Sequence, residues 1–386
     1  MPNISDYIDW RGDLPLSVSP FNEVDNLVIS KLVALNFTGI IPEDGEISLR
    51  EAAQKYFDKY GDEDVPIGVL SAPGVVTLIK KLLGSVRFGD IMLSYYINSI
   101  DCELEKQFSA VTVALSDGSC FIAFRGTDDT LVAWKEDFKM GIADIVPAQG
   151  EATFYLCRAA WRLACPLRVG GHSKGGNLAV YASMHAPEEV QDRILNIYNN
   201  DGPGFFESVR SCADYMRIQP RVTTLVPQHS LVGILLSHDD DFEIVLSTDT
   251  GLAAHNAFSW EVCGTAFVRC EDFSLRSRVF DRAVHSWADD LDLETRAQFI
   301  DAFFDALAST GATTLSDLTE LRLRKAVELV QNLRQSADQR ELFSGVLDLF
   351  IREYVFSARS SSPKKAPKAT TKKIPKSRPK KDKKAP

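Results

Sequence analysis

The residues able to do chemistry gather at Gly171-His172-Ser173-Lys174-Gly175. A serine with glycines two places before and two places after it matches the G-x-S-x-G nucleophile elbow. The chemistry of such an elbow is acyl transfer, in which an exposed hydroxyl attacks a carbonyl carbon. The glycines are required because the two arms of the turn nearly touch, and a side chain on either would collide. Context separates this pattern from a glycine-rich turn in some other protein. Leu167–Val169 reads as a short buried strand before the turn. Leu178, Val180 and Tyr181 begin a helix after it, and its first amides point at the serine and favour negative charge there. Gly176 adds a third glycine that lets the helix pack closely on the strand.

A serine hydroxyl is a weak nucleophile near neutral pH. It needs a histidine as base and an acid to fix that histidine's tautomer. In the α/β-hydrolases these follow in the order serine, acid, histidine. His185, His229, His238, His255 and His285 follow Ser173. His255 lies in the loop after the last expected strand, where the base of this fold belongs, and is assigned here; His238 is the alternative. Asp201 lies at the end of an expected strand, on the side where open α/β sheets bind ligands. It is assigned as the acid, with Asp239, Asp240 and Asp241 as alternatives. Neighbours in the run His238–Asp241 cannot all converge on one ion, so it reads as a solvated loop. No metal and no cofactor are expected.

An oxyanion hole needs two donors aimed at the carbonyl oxygen. The backbone N–H of Lys174, directly after the serine, supplies one. The segment Arg125-Gly126-Thr127 follows a strand and supplies the other, with Thr127 offering its N–H and its hydroxyl.

These residues need a sheet to hold them. Gln107–Leu115 and Cys120–Arg125 read as two strands of a hairpin joined by Ser116-Asp117-Gly118-Ser119. Ile194–Asn199, Arg221–Val226 and Phe242–Ser247 read as further short strands. Helices are expected between them, at about Glu151–Ala164 and from the elbow to about His185. The alternation predicts an α/β fold of the α/β-hydrolase kind, a mainly parallel sheet flanked by helices.

Residues 1–100 read as an N-terminal helical flank or cap. Glu23–Phe37 is amphipathic through Val24, Leu27, Val28, Leu32 and Leu35. Ser48 with Glu51 forms a capping box for a second helix that stops at Gly61. A third runs from Pro73 to Leu83, with Pro73 in its first turn. Residues 101–270 form the core. Residues 271–358 form a C-terminal helical layer: Phe299, Ile300, Phe303, Phe304 and Leu307 make one apolar stripe. Leu318, Leu321, Val327 and Val330 make a second, and Asp338 with Glu341 caps a third helix.

Hydrophobic residues are 45% and charged residues 25% of the chain, the balance of an ordinary globular protein. No apolar run reaches membrane-spanning length. Met1-Pro-Asn-Ile-Ser-Asp has neither the basic nor the apolar part of a secretory signal. Seven cysteines without a C-x-x-C pair argue against a disulfide framework or zinc site. A reducing cytoplasm is the simplest compartment. The net charge of −10 is uneven. From Arg359 to Pro386 there are twelve Lys or Arg and one acid, a charge of +11, so the body carries −21. Residues 359–386, rich in Lys and Pro, are expected to be a disordered tail able to touch an anionic surface: membrane, nucleic acid or acidic protein.

Phe124-Arg-Gly-Thr127 on a strand, followed by Gly171-His-Ser173-Lys-Gly175-Gly176, resembles the fungal-type (class 3) triacylglycerol lipases. In those enzymes a similar R-G-T or R-G-S segment gives the oxyanion residue. The longer matches are to a bacterial family of lipase-like domains of unknown function. They include Tyr7–Asp13, Ser19–Asn26, Phe124–Asp129, Trp134–Phe138, Gly171–Ala179, Tyr198–Phe205, Val226–Gln228 and Phe258–Trp260. The resemblance covers nearly everything except the tail. It implies an α/β-hydrolase fold and a serine hydrolase, with no substrate attached.

Two departures from the lipases stand out. Val226-Pro-Gln-His-Ser230 carries no acid where theirs lies, which supports an acid moved to Asp201, as in pancreatic-type lipases. Lys174 stands where they carry an apolar residue. Its cation suggests a polar or anionic substrate, or a pairing with Asp128 or Asp129. The leading expectation is a serine hydrolase that cleaves a small-molecule or lipid-like ester, or a thioester, through an acyl-enzyme. The alternative is a silent hydrolase-fold scaffold tethered by its basic tail.

Overall fold

The structure, a computed structural model, describes residues 1–64, 74–143, 145–234, 242–278, 280, 293–315 and 317. Eight strands form one sheet in chain order: β1 (Glu46–Ser48), β2 (Met92–Asp101), β3 (Lys106–Ala114), β4 (Cys120–Phe124), β5 (Leu167–His172), β6 (Ile194–Asn200), β7 (Val222–Pro227) and β8 (Glu243–Val245). From β4 to β8 every pairing is parallel. The pairings from β1 to β4 are antiparallel. The expected hairpin is β3–β4. Its turn is closed by the Leu115 N–H on the Ser119 carbonyl at 2.9 Å, with Gly118 at φ 81.

Two strands lie where the sequence predicts helices alone. β2 was missed because its period of two is broken. Its pairing with β3 shifts register between Ser94 and Ile97, and Tyr95 has φ 54. Such a break moves side chains to the opposite face and hides the alternation.

The parallel strands are buried on both faces, as β4 shows: all five of its residues are buried. Its side chains alternate between two cores. Phe121 and Ala123 face one, built with α1 (Ile4–Arg11), α2 (Glu23–Leu32), α3 (Leu49–Tyr60) and α4 (Val75–Leu83). Ile122 and Phe124 face the other, built with α6 (Pro147–Arg162) and α7 (Lys174–His185). The helix α5 (Leu131–Lys139) lies between α4 and α6 in the chain. Its Leu131 packs with Ile300, Phe304 and Leu307 of the helix Leu293–Ala308, the expected apolar stripe.

The second helix, α2, packs against the elbow strand β5. Its N-cap Asn22 accepts from the Val24 and Asp25 N–H groups. Arg87, fully buried, binds Asp25 through two nitrogens, and the Tyr7 hydroxyl donates to Asp25 at 2.8 Å. Val24 through Leu32 are all buried, so this helix has no solvated face after its first turn. Of the capping box expected at α3, one half is present: Ser48 accepts from the Glu51 N–H at 3.1 Å, while the Glu51 carboxylate pairs with Lys55 at 2.8 Å; Gly61 follows at φ 85.

Among the described residues no helix is long and apolar enough to cross a membrane. Pro73, His238, Asp239, Asp240, Asp241 and His285 lie outside the described residues, as do the helices expected after residue 317 and the basic tail.

Candidate active site

Ser173 sits between β5 and α7 with φ 61 and ψ −135. That is left-handed backbone which a residue with a Cβ adopts only when its surroundings force it. The forcing contacts are visible. A Cβ on Gly171 would lie 2.3 Å from the Gly175 carbonyl carbon, and one on Gly175 would lie 2.2 Å from the Phe124 carbonyl oxygen. A Cβ on Gly176 would meet Asn199 Oδ1 at 2.2 Å. The three glycines therefore let helix, elbow strand and β4 close on one another. The first N–H groups of α7 have no acceptor within the helix, and that of Lys174 is the foremost.

Asp201 follows β6 and is fully buried, also at positive φ, 54°. Its N–H donates to the Leu225 carbonyl at 2.8 Å. One carboxylate oxygen lies 2.6 Å from His255 Nδ1, and the other accepts from the Ser230 hydroxyl at 2.6 Å. Both oxygens are thus engaged. The Ser230 hydroxyl in turn accepts from the Gly233 N–H at 2.9 Å.

His255 closes a short 3-10 turn, Gly251–His255, and is buried. Three contacts hold it. Asp201 binds its ring. His172 Nε2 donates to its carbonyl at 2.9 Å, and Trp260 Nε1 donates to the preceding carbonyl of Ala254 at 3.0 Å. The carbonyl acceptor fixes a proton on His172 Nε2. Burial, then the neighbouring His255, push the His172 pKa well below that of an ordinary histidine, so it is a neutral donor.

The loop after β4 presses on the nucleophile from the opposite side. A Cβ on Gly126 would stand 2.6 Å from the His172 carbonyl oxygen and 3.0 Å from Ser173 Cβ. Thr127 comes next, and its hydroxyl donates to Asp137. This hydroxyl is committed to a protein acceptor, so of the two groups expected of Thr127 only the N–H remains to donate.

The side chain of Lys174 is not where the sequence suggests. It is fully buried, with Nζ 3.0 Å from Glu136 Oε2, 3.0 Å from the Gln107 carbonyl and 3.5 Å from Asp137. Asp128 instead pairs with Arg125 at 3.2 Å. The cation of Lys174 therefore belongs to the core beneath the elbow and has no part in reading a substrate. Glu136 is held in turn by the N–H groups of Gln107 and Ala148.

Ser173 and His255 line one cavity of about 70 Å³, with His172, Gly126, Thr127, Arg125, Asp128 and Trp134. From α2 come Ser30 and Lys31, with Ala34 just beyond the helix. Asn26, on the same helix, exchanges amide hydrogen bonds of 2.8 and 3.1 Å with Asn200, which also donates to the Gly171 carbonyl. This ties α2 to the elbow strand. The sequence reading omitted Ser230, His172, Lys31 and the Asn26–Asn200 pair. The signal available is that Asn26, His172 and Asn200 lie in the segments that resemble the lipase-like domains. Among the described residues no group of three or more His, Cys, Asp or Glu is placed to hold a metal ion.

The comparisons with known proteins bear on the same region. No curated protein matches the sequence. The crystal structure of M37 lipase superposes on 42% of this chain and 60% of its own, with 14% identity and a TM-score of 0.30. The chain thus spans less than two thirds of that lipase. The model of the Mbeg1-like family matches residues 82–305, more than half of the sequence and all of β2 to β8. The chain belongs to the Mbeg1-like family.

Proposed function

We propose that the protein is a serine hydrolase that cleaves an ester or thioester through an acyl-enzyme. The observation that carries this reading is the 2.6 Å contact of Asp201 with Nδ1 of His255, a residue that lines one cavity together with Ser173. A carboxylate on Nδ1 holds the tautomer that leaves Nε2 free to take a proton. Ser173 Oγ attacks the carbonyl carbon as His255 Nε2 removes its proton, and Asp201 stabilises the imidazolium. The carbonyl oxygen becomes an oxyanion held by the N–H groups of Lys174 and Thr127, with the α7 N-terminus behind them. The intermediate collapses as His255 returns the proton to the leaving alcohol or thiol. Water, deprotonated by His255, then attacks the acyl-serine and frees the acid and Ser173. Lipase resemblance, family membership and the strained elbow support the same reading.

The test is labelling with a fluorophosphonate probe. Wild type is expected to label, and Ser173→Ala and His255→Ala to abolish labelling. A folded wild type that stays unlabelled would overturn the proposal.

A further inference from the structure

Lys31 is the feature that this mechanism leaves unused. It stands in the last turn of α2, 7% exposed, and lines the cavity that holds Ser173 and His255. The acids of its own helix and of the site are spent. Asp25 on its own helix is bound by Arg87 and Tyr7. Glu23 pairs with Arg269. Asp128, the one carboxylate on the cavity wall among the described residues, is held by Arg125 and by the Thr130 N–H and hydroxyl. Asp201 has both oxygens occupied behind the His255 ring.

Among the described residues nothing neutralises the ammonium. Burial is the sole influence on its pKa, which falls to about 8. A lysine in that state is still mostly charged at neutral pH. The negative end of the α2 dipole offsets only part of the penalty. Buried charges are ordinarily paired, and the open direction available to this one is the cavity.

Resting on the hydrolase reading, we infer that Lys31 is a specificity residue: the substrate carries an anionic group, a carboxylate or phosphate close to the scissile carbonyl, and the Lys31 ammonium is its counter-charge inside the cavity. The arrangement suits a small, charged ester. The cavity has room for roughly five water molecules. Among the described residues the walls that bear charge are Lys31, Arg125 and Asp128, so the pairing of the last two leaves one positive charge over. An anion there would regain for Lys31 the partner that folding denied it.

The experiment uses the full chain and pairs of charged and neutral esters, with hydrolysis followed by proton release. Monomethyl succinate is set against methyl valerate for an anion on the acid side, and acetoxyacetate against ethyl acetate for one on the alcohol side. In wild type at least one anionic ester is expected to have kcat/KM 10-fold or more above its neutral partner. In Lys31→Met and Lys31→Gln that ratio is expected to fall to about 1. A wild-type ratio near 1, or an equal ratio in wild type and variants, would overturn the inference. Equal loss on charged and neutral esters would assign Lys31 to the reacting oxygen instead.

Binding separates this inference from the hydrolase reading. Calorimetry on Ser173→Ala with succinate and with inorganic phosphate distinguishes the two anion classes without turnover. One of them is expected to bind, and adding Lys31→Met is expected to weaken it at least 10-fold. Anion binding that needs Lys31, together with an unlabelled Ser173, would leave the anion site standing and remove the esterase. A labelled Ser173 with no anion binding would do the reverse.

Discussion

Gly233 leaves no room for a side chain beside Asp201: a Cβ at that position would stand 2.1 Å from the Asp201 carboxylate oxygen that Ser230 binds. The loop after β7 thus encloses the acid at van der Waals distance. The first prediction follows from that contact. Gly233→Ala must push either the loop or the carboxylate away. Since Asp201 orients His255, the expected result is a fall in kcat on the order of 100-fold or more, with a smaller change in KM. A kcat within threefold of wild type in a folded variant would mean that the loop, and not the Asp201 carboxylate, gives way.

Lys174 and Lys31 are both buried cations near the elbow, and they predict opposite behaviour. Removing Lys174 leaves Glu136 beside Asp137 with no cation between them. Loss of one partner from a buried ion pair costs about 3–5 kcal/mol. Lys174→Met is therefore expected to unfold at markedly lower urea concentration, by that margin. The selectivity between charged and neutral esters is expected to stay as in wild type, because the side chain points away from the cavity. A change in selectivity without loss of stability would restore the substrate role that the sequence suggests.

The contrast shows what was legible. The elbow could be read because its requirement is local and steric: Gly171 and Gly175 must both lack a Cβ, whatever the rest of the chain does. The meeting of Asp201 with His255 is foreshadowed in the sequence because each follows a strand with a clear apolar pattern. Lys174 was misread because its direction is set by Glu136, 38 residues earlier. Lys31 was passed over because a lysine in the last turn of an amphipathic helix looks solvated and dipole-stabilised. Only the packing of α2 between the sheet and its neighbours removes the water. β2 stayed hidden for a comparable reason, since its register break is relieved only by pairing with β3.

The pH dependence of selectivity tests Lys31 in wild type. With its pKa lowered to about 8, Lys31 loses its charge as pH rises through that value in the free enzyme. The quantity kcat/KM reports free-enzyme ionisations. The ratio of kcat/KM between anionic and neutral esters is therefore expected to be level below pH 8 and to fall up to tenfold per unit above it. The groups around Lys31 do not imitate this limb. His172 is already neutral, Arg125 and Asp128 are paired, and His255 serves both esters, so its ionisation cancels in the ratio. A ratio that stays level to pH 10 would exclude the ammonium as the recognised charge.

The same burial makes a prediction about stability with a definite sign. An unfolded chain holds the Lys31 proton up to about 10.5, whereas the folded chain releases it near 8. Below pH 8 both states are charged, and the native state carries the full cost of an unpaired ammonium, about 3 kcal/mol. Between pH 8 and 10.5 the native state sheds the proton first, and wild-type stability rises through that window on account of this residue. Lys31→Met has a similar shape and no charge. It is expected to be more stable than wild type by a few kcal/mol at pH 7, with the advantage shrinking by pH 10. Urea unfolding at the two pH values measures the difference. A variant that is less stable at pH 7 would mean that the ammonium has a partner in the folded chain. A more stable one would show that folding is weakened by keeping a cation in this cavity, as a residue held for binding and not for structure requires.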